Sequence, residues 1–368
     1  MIYCDHNAGS PCRPEAAEAA LRVLATGGNP SSIHVAGRRA RAAMEDAREA
    51  VAGATGARAE NVVFTSGATE ALHLALEASR GEARSLVLSA IEHDALFAQA
   101  PNVWPDARIA PATGDGLIDL AALARLLDAA AKPALVAIML VNNETGLIQP
   151  ISDVSRLVRE AGGMLLVDAA QALGRVEVDI ASLDATYVAL SSHKIGGPPG
   201  AGALALAPGA PFAATRGGGG QERGRRPGTE NVPAIAGFGV AATIAATSWK
   251  DESARLAALR DRFEREADVS VIAQDAPRVG NTSLFTLAGV KASAAVIALD
   301  LAGVCVSAGA ACSSGKVKKS RVLEAMGLPS EVQEGGVRAS FGWNSTEADV
   351  GALVAAVRVL ARRKAEAA

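Results

Sequence analysis

The sequence predicts an α/β protein, with a large domain on a mostly parallel sheet and a smaller α+β domain after it. Three observations carry this reading. Short apolar runs alternate with amphipathic stretches of helical period from residue 13 to about residue 247. One run, Ala134 to Val141, is too apolar for anything but a central strand covered on both faces. Polar clusters follow the ends of successive strands, the edge where ligands gather in open α/β sheets.

Taken in order, residues 13 to 26 form a helix entered through Ser10-Pro11, with Glu15 and Glu18 near its start and Gly27-Gly28 as its stop. Gly28 to Ser32 is a turn, and a longer helix from Val35 to Ala54 stops at Gly56. Asn61 to Phe64 is a strand, after which Thr65-Ser66-Gly67-Ala68-Thr69-Glu70 opens a helix from Ala71 to Ala78. A strand, a glycine turn and a helix in succession expose backbone N–H groups at a positive helix end, which suits a phosphate. An ordinary capping box using Ser66, Thr69 and Glu70 accounts for the same residues. A strand at Ser85 to Leu88, helices near Asp94 to Ala100 and from Ile118 to Ala131, and the central strand follow. That strand ends on Asn142-Asn143-Glu144-Thr145-Gly146. A helix from Val154 to Ala161 leads to the strand Met164 to Val167, which ends on Asp168. The run Ala185 to Leu190 delivers Ser191-Ser192-His193-Lys194 onto a turn of glycines and prolines, and a strand at Ala203 to Leu206 follows.

The glycine- and arginine-rich run from Arg216 to Thr229 cannot be regular structure; it suits a solvated loop, an anion contact or an oligomer contact. Two helices, Val232 to Trp249 and Glu252 to Ala267, connect to the smaller domain. There, strands are expected at Ser283 to Thr286, Val304 to Val306 and Gly336 to Phe341, with a helix through Val296 and Leu299 and a last one from Glu347 to Ala361. The domains are expected at residues 13–247 and 248–368, joined by the N-terminal segment 1–12.

Composition narrows the function. The chain has 368 residues, 49% of them hydrophobic, and a net charge of −3, which argues against nucleic acid or membrane lipid as the main partner. It shows no apolar run long enough to span a membrane and no signal-peptide pattern, so a cytoplasmic protein is expected. Cys4, Cys12, Cys305 and Cys312 are too sparse for a disulfide framework and fit no common zinc spacing, so no metal site is expected.

The chemistry centres on Lys194 and Asp168. Burial lowers a lysine pKa, and a neutral amine is what a Schiff-base enzyme needs. An aspartate at a neighbouring strand end can hold a pyridinium nitrogen protonated while the lysine holds the aldehyde carbon of the same ring. The pair suggests pyridoxal phosphate; a loop lysine reaching water is the alternative. In Ser307 to Gly315, small residues surround Cys312, which reads as a mobile loop with an accessible thiol. A buried free cysteine is the commoner case, so this one points to a reactive role.

With these residues in place, the chain resembles the cysteine desulfurases of the class V aminotransferase group, in their NifS/IscS-like branch. The likeness is carried in order by Tyr3 to Ala8, Gly28 to Ser32, Phe64 to Glu70, Glu92-His93, Val141 to Gly146, Asp168 to Gln171, Ser191 to Lys194, Gly218 to Gly224 and Ala311 to Gly315. The resemblance implies a fold-type I homodimer with a seven-stranded sheet, dependent on pyridoxal phosphate. It implies that L-cysteine is converted to L-alanine. The sulfur would pass as a Cys312 persulfide to an acceptor or scaffold protein, in iron–sulfur cluster assembly or related sulfur trafficking.

By the same resemblance, Lys194 binds the cofactor aldehyde and acts as base at the substrate Cα. Asp168 pairs with the ring nitrogen, Gln171 reaches the ring O3′, His93 stacks on the ring and Asn143 lies close to ring or substrate. The Ala68 N–H, Thr69, Ser191 and His193 cradle the phosphate, with Thr229 supplied by the second subunit. Arg338 pairs with the substrate carboxylate and Cys312 attacks the substrate sulfur. A packed histidine at 93 and a surface ion pair at 338 are the plainer readings of those two. Gly9-Ser10 stands where the family carries threonines, Trp343 where many members have arginine, and the chain lacks the longer tail of some relatives. A selenocysteine lyase or an aminotransferase of the same group is the competing enzyme, and the Cys312 loop separates the two. A non-enzymatic scaffold would not need both Lys194 and Asp168.

Overall fold

The computed structural model describes residues 1–309 and 319–366. A short strand β1 (Ile2–Tyr3) precedes two helices, α1 (Pro14–Thr26) and α2 (Val35–Thr55). The His34 ring accepts from Gly37 N (3.2 Å) at the start of α2, and left-handed Gly56 ends it. Then come β2 (Val62–Thr65), α3 (Ala68–Ser79), β3 (Ser85–Ser89), α4 (Asp94–Val103), β4 (Arg108–Ala110) and α5 (Leu120–Asp128). Helix α5 is shorter at both ends than its apolar pattern suggests. The Ile118 N–H is taken by Gln149 Oε1 (2.9 Å), Asp119 caps Ala122 N (2.9 Å), and Lys132-Pro133 blocks extension at the other end.

The chain continues through β5 (Ala134–Met139), α6 (Ile151–Glu160), β6 (Met164–Asp168), β7 (Tyr187–Ser191), β8 (Gly202–Leu206) and α7 (Val232–Glu266). Helix α7 is one 35-residue element, where the sequence suggested two. The supposed break, Trp249 to Glu252, holds no glycine or proline, and Arg13 grips the Glu252 carboxylate there at 2.9 and 2.8 Å. The remaining elements are β9 (Ser270–Val271), β10 (Thr282–Thr286), α8 (Ala292–Leu301), β11 (Val304–Cys305), β12 (Ser307–Ala308), α9 (Arg321–Ala325), α10 (Ser330–Gly335), β13 (Val337–Ser340) and α11 (Glu347–Glu366).

The large sheet has the order β2-β8-β7-β6-β5-β3-β4. From β7 to β4 all neighbours are parallel, and β8 is antiparallel to both β7 and β2. Two reversals restore direction, so β2 ends on the same edge as β3, β5, β6 and β7. Every residue of β5 is buried, because Val136 and Ile138 face one core while Leu135 and Ala137 face the other. One face carries α1, α2, α5, α6 and the first half of α7, with Met44, Leu123, Val154 and Phe238 in its core. The opposite face carries α3 and α4, through Leu72, Leu76 and Leu96.

The smaller α+β unit has a four-stranded sheet, β12-β13-β10-β9, and a two-stranded one, β1-β11. The expected strand Val304–Val306 divides in two: Val304-Cys305 pair with Ile2-Tyr3, and Ser307-Ala308 turn to pair with Arg338 and Val337. Its core takes Leu256 and Phe263 from the second half of α7, with Phe285, Leu299, Phe341 and Leu353. Among the described residues, α7 alone is long and apolar enough to cross a membrane, yet half of its apolar window is buried inside the protein.

Candidate active site

Because β2, β3, β5, β6 and β7 end on one edge, the residues just past them converge. They line a pocket of about 450 Å³. Ala68, Thr69, His93, Asn143, Asp168, Gln171, Ser191, His193, Lys194 and Arg338 all line it.

The β2–α3 turn forms one wall. Helix α3 begins at Ala68, three residues earlier than its apolar pattern suggests, with Gly67 as N-cap. Strand β8 lies close against this turn, and there the glycine requirement falls on Gly202: a Cβ on it would sit 2.5 Å from the Gly67 Cα. Glu70 reaches back to accept from Ser66 N (2.6 Å), so the box of Ser66, Thr69 and Glu70 exists only as its carboxylate half. The first-turn N–H groups of α3 lack intrahelical partners by geometry and border the pocket, as an anion requires. Arg226 binds the outer side of Glu70 at 3.0 and 3.2 Å, fastening the arginine-rich loop beside this turn. Arg216 pairs with Glu77 and Glu70, and Arg225 donates to Glu60 O (2.9 Å), so this loop is bound largely to its own chain.

Strand ends β6 and β7 supply the opposite wall. Asp168 is 6% exposed, and burial raises its pKa although Ala170 N (2.9 Å) donates to it and His93 and Lys194 oppose the shift. Lys194 Nζ donates to the carbonyls of Asn7 (2.5 Å) and Ala8 (2.9 Å), a pair of neutral acceptors from the N-terminal segment. His193 stands beside Ser191 Oγ (3.0 Å), and burial, with Lys194 adding to it, pushes its pKa down to about 4. It is therefore neutral near pH 7. His93 caps α4, its Nδ1 accepting from Ala95 N (3.1 Å).

Arg338 enters from β13 and is 2% exposed, so the plainer reading of a surface ion pair is set aside. Its two terminal nitrogens donate to Asn143 O (2.8 Å) and Asp5 Oδ1 (2.7 Å), and its Nε is buried without a partner among the described residues. Ser307 Oγ in turn donates to Asp5 Oδ2 (2.7 Å). A buried guanidinium with donor capacity left and a place in the pocket wall is suited to a carboxylate ligand.

A family model for aminotransferase class-V matches residues 2–353. The chain belongs to the class-V aminotransferases. An IscS-like cysteine desulfurase of Mycobacterium tuberculosis is 37% identical to this family member over 374 residues, covering 96% of this chain and 94% of the relative. A cysteine desulfurase of Cereibacter sphaeroides is 38% identical over 367 residues, covering 96% and 94%. The solved NifS-like protein of Rickettsia africae superposes with a TM-score of 0.90 at 30% identity, over 98% of this chain and 99% of that one. These likenesses place this class-V aminotransferase in the cysteine desulfurase group, with the expected fold-type I architecture.

One expected site residue is not brought into this pocket: Thr229 is exposed and does not line it within one subunit. A second, Cys312, lies outside the described residues. Trp343 is also away from the pocket wall: its Nε1 donates to Pro11 O (2.9 Å), Arg13 stacks 5.4 Å from its ring centre, and it borders a separate cavity of about 30 Å³ on the other side of Lys194. Ser10 likewise turns to His6 Nδ1 (3.0 Å) and not into the pocket.

Three contributors were missed from the sequence: Asp5, Asn7 and Arg175. The first two lie in the Tyr3–Ala8 motif, whose nearness to Lys194 and Arg338 no local pattern reveals. Arg175 follows Gln171 by one helical turn's spacing, and that register was the only signal for it.

Proposed function

We propose that this class-V aminotransferase is a pyridoxal-phosphate-dependent cysteine desulfurase that converts L-cysteine to L-alanine and loads the sulfur onto Cys312. The observation that carries the reading is the convergence of Lys194, Asp168 and Arg338 on one pocket bordered by a helix start. The residues fit the cofactor. Asp168 is a buried carboxyl that makes no salt bridge among the described residues, which suits a protonated ring nitrogen. The α3 start with Thr69, Ser191 and His193 suits the phosphate, and Gln171 suits the ring oxygen.

The cofactor, when bound, supplies an electron sink for charge developing at the substrate Cα. Arg338 orients the substrate by its carboxylate. Lys194 would move a proton at Cα, and His93 and Asn143, which line the pocket, would hold the ring and the substrate in place. Asp168 keeps the ring nitrogen protonated. Cys312 acts as a thiolate: it bonds to the substrate sulfur, the carbon–sulfur bond breaks, and the electron pair stays with the carbon that becomes the alanine methyl group. The thiol proton and the methyl proton balance, so no outside oxidant is required.

The geometry around Glu144 supports delivery of Cys312 to this place. Ser320 Oγ donates to Glu144 Oε2 (2.6 Å), and a Cβ on Gly309 would lie 3.1 Å from the same oxygen. The described residues on either side of the Cys312 segment thus meet next to Asn143. We further infer a homodimer in which the second subunit supplies Thr229, a cytoplasmic setting, and a protein that accepts the sulfur for iron–sulfur cluster assembly or related trafficking. The domain division at 13–247 and 248–368 would then fall within α7, which serves both cores.

The test is release of sulfide and alanine from L-cysteine by the cofactor-loaded protein. A Cys312→Ser variant is expected to bind the cofactor and change spectrum on adding cysteine, yet to form no persulfide and release no sulfide. Full activity in that variant, or persulfide on Cys4 or Cys12, would overturn the assignment in favour of a lyase that needs no protein thiol.

A further inference from the structure

Arg175 is 8% exposed and, among the described residues, forms no salt bridge. Its Nη1 donates to both the backbone carbonyl (2.7 Å) and the side-chain Oε1 of Gln171. The counter-charge acting on it, Glu252, is already held by two hydrogen bonds from Arg13. Burying a cation without a paired acid is costly. Such a placement is expected where the charge has a task.

The task follows from donor and acceptor arithmetic. A guanidinium offers only donors, so the oxygen of the Gln171 amide must face Arg175 and its NH₂ must face away. That NH₂ donates one hydrogen to Asn7 O (2.9 Å), the same oxygen that accepts Lys194 Nζ. Its second hydrogen belongs to a side chain that lines the pocket. Without Arg175, the Asn7 carbonyl alone, among the described residues, orients the amide, and its second hydrogen is no longer held firmly toward the pocket.

We propose that Arg175 is a positioning residue that fixes Gln171 as a hydrogen-bond donor into the pocket, available to the phenolic oxygen of a bound pyridoxal ring. The proposal rests on the cofactor reading above. A donor at that oxygen favours the form of the lysine–cofactor linkage that has lost its proton, so losing the donor moves the protonation midpoint of the visible band upward.

The experiment titrates that band in cofactor-loaded wild type, Arg175→Met, Gln171→Ala, the double variant and Arg175→Lys. Arg175→Met and Gln171→Ala are each expected to raise the midpoint by about one pH unit. The double variant is expected to match either single one, because the two act through one hydrogen bond. Arg175→Lys, still a pure donor, is expected to recover most of the wild-type midpoint. A loaded Arg175→Met protein with an unchanged midpoint overturns the proposal, as do single shifts that add in the double variant. Should Arg175→Met fail to fold, Gln171→Glu answers the same question. It keeps Arg175 paired and replaces the donor by an acceptor, so its midpoint must rise; a wild-type midpoint there also overturns the proposal. A wild type that forms no lysine-linked visible band removes the cofactor reading itself, and the proposal with it.

Discussion

Glu222 offers the sharpest test of how the site is held. It lies in the arginine-rich loop with φ at 49°, an unusual conformation for a side chain of this size. Its carboxylate accepts from Arg48 Nη1 (2.7 Å), Arg48 Nη2 (2.8 Å) and Phe64 N (2.8 Å). The side chains are 5% and 1% exposed, and Arg48 also donates to Val62 O (2.8 Å) and lies 4.7 Å from the Phe64 ring centre. Glu222→Ala strips a buried cation of its bidentate partner and leaves a β2 N–H unsatisfied. Truncating one side of such a pair costs about 3–5 kcal/mol. With a guanidinium m-value of about 4–6 kcal/mol/M for a chain this large, the unfolding midpoint falls by roughly 0.5–1.25 M. Arg48→Met alone is expected to cost a similar amount, and Arg48→Met with Glu222→Leu much less than the sum, because no buried charge is then left unpaired; Glu45, the other partner of Arg48, is 41% exposed. A double variant whose loss equals the sum of the singles would refute this account of the pair. Because β2 leads directly into the α3 start, Glu222→Ala is also expected to weaken inorganic phosphate or cofactor binding.

Two further outcomes follow from the site and its surroundings. Asp168→Asn is expected to retain cofactor while losing turnover by about two orders of magnitude or more, since a neutral amide does not hold the ring proton; normal turnover would pass that role to another residue. His6 gives a pH test. Burial first, then the fields of Arg175 and Arg13, push its pKa down to about 3 from its usual value, and its Nε2 is buried without a partner among the described residues. The unfolded chain binds a proton at His6 below about pH 6.5 while the folded chain does not, so stability falls as pH drops from there toward 3. Denaturation near pH 5 is expected to show about 1.4 kcal/mol of loss per pH unit from this group, absent in His6→Asn; identical slopes would exclude it.

Much of this was legible in the sequence where neighbours in sequence are also neighbours in function. Asp168 and Lys194 each follow an apolar run, and the β2–α3 turn declares itself by its glycine. What was not legible is set by distant partners. Nothing near Glu222 predicts Arg48, which is 174 residues away. The polar stretch at Lys250 to Glu252 looked like a helix break until Arg13 was seen to hold it. Val304 to Val306 read as one strand because apolar content does not reveal that the chain changes partners between Cys305 and Ser307.

The N-terminal segment has a consequence for biosynthesis. The carbonyls that receive Lys194 Nζ belong to Asn7 and Ala8, yet the strand that anchors this segment pairs with Val304 and Cys305, and Asp5 is bound by Arg338. On a ribosome, this segment must therefore wait, without its partners, until residues 304 to 338 have emerged. The large sheet can assemble during synthesis, but the pocket around Lys194 closes only when this segment and Arg338 are both present. An aborted translation product would contain Lys194 and Asp168 and still lack a finished centre.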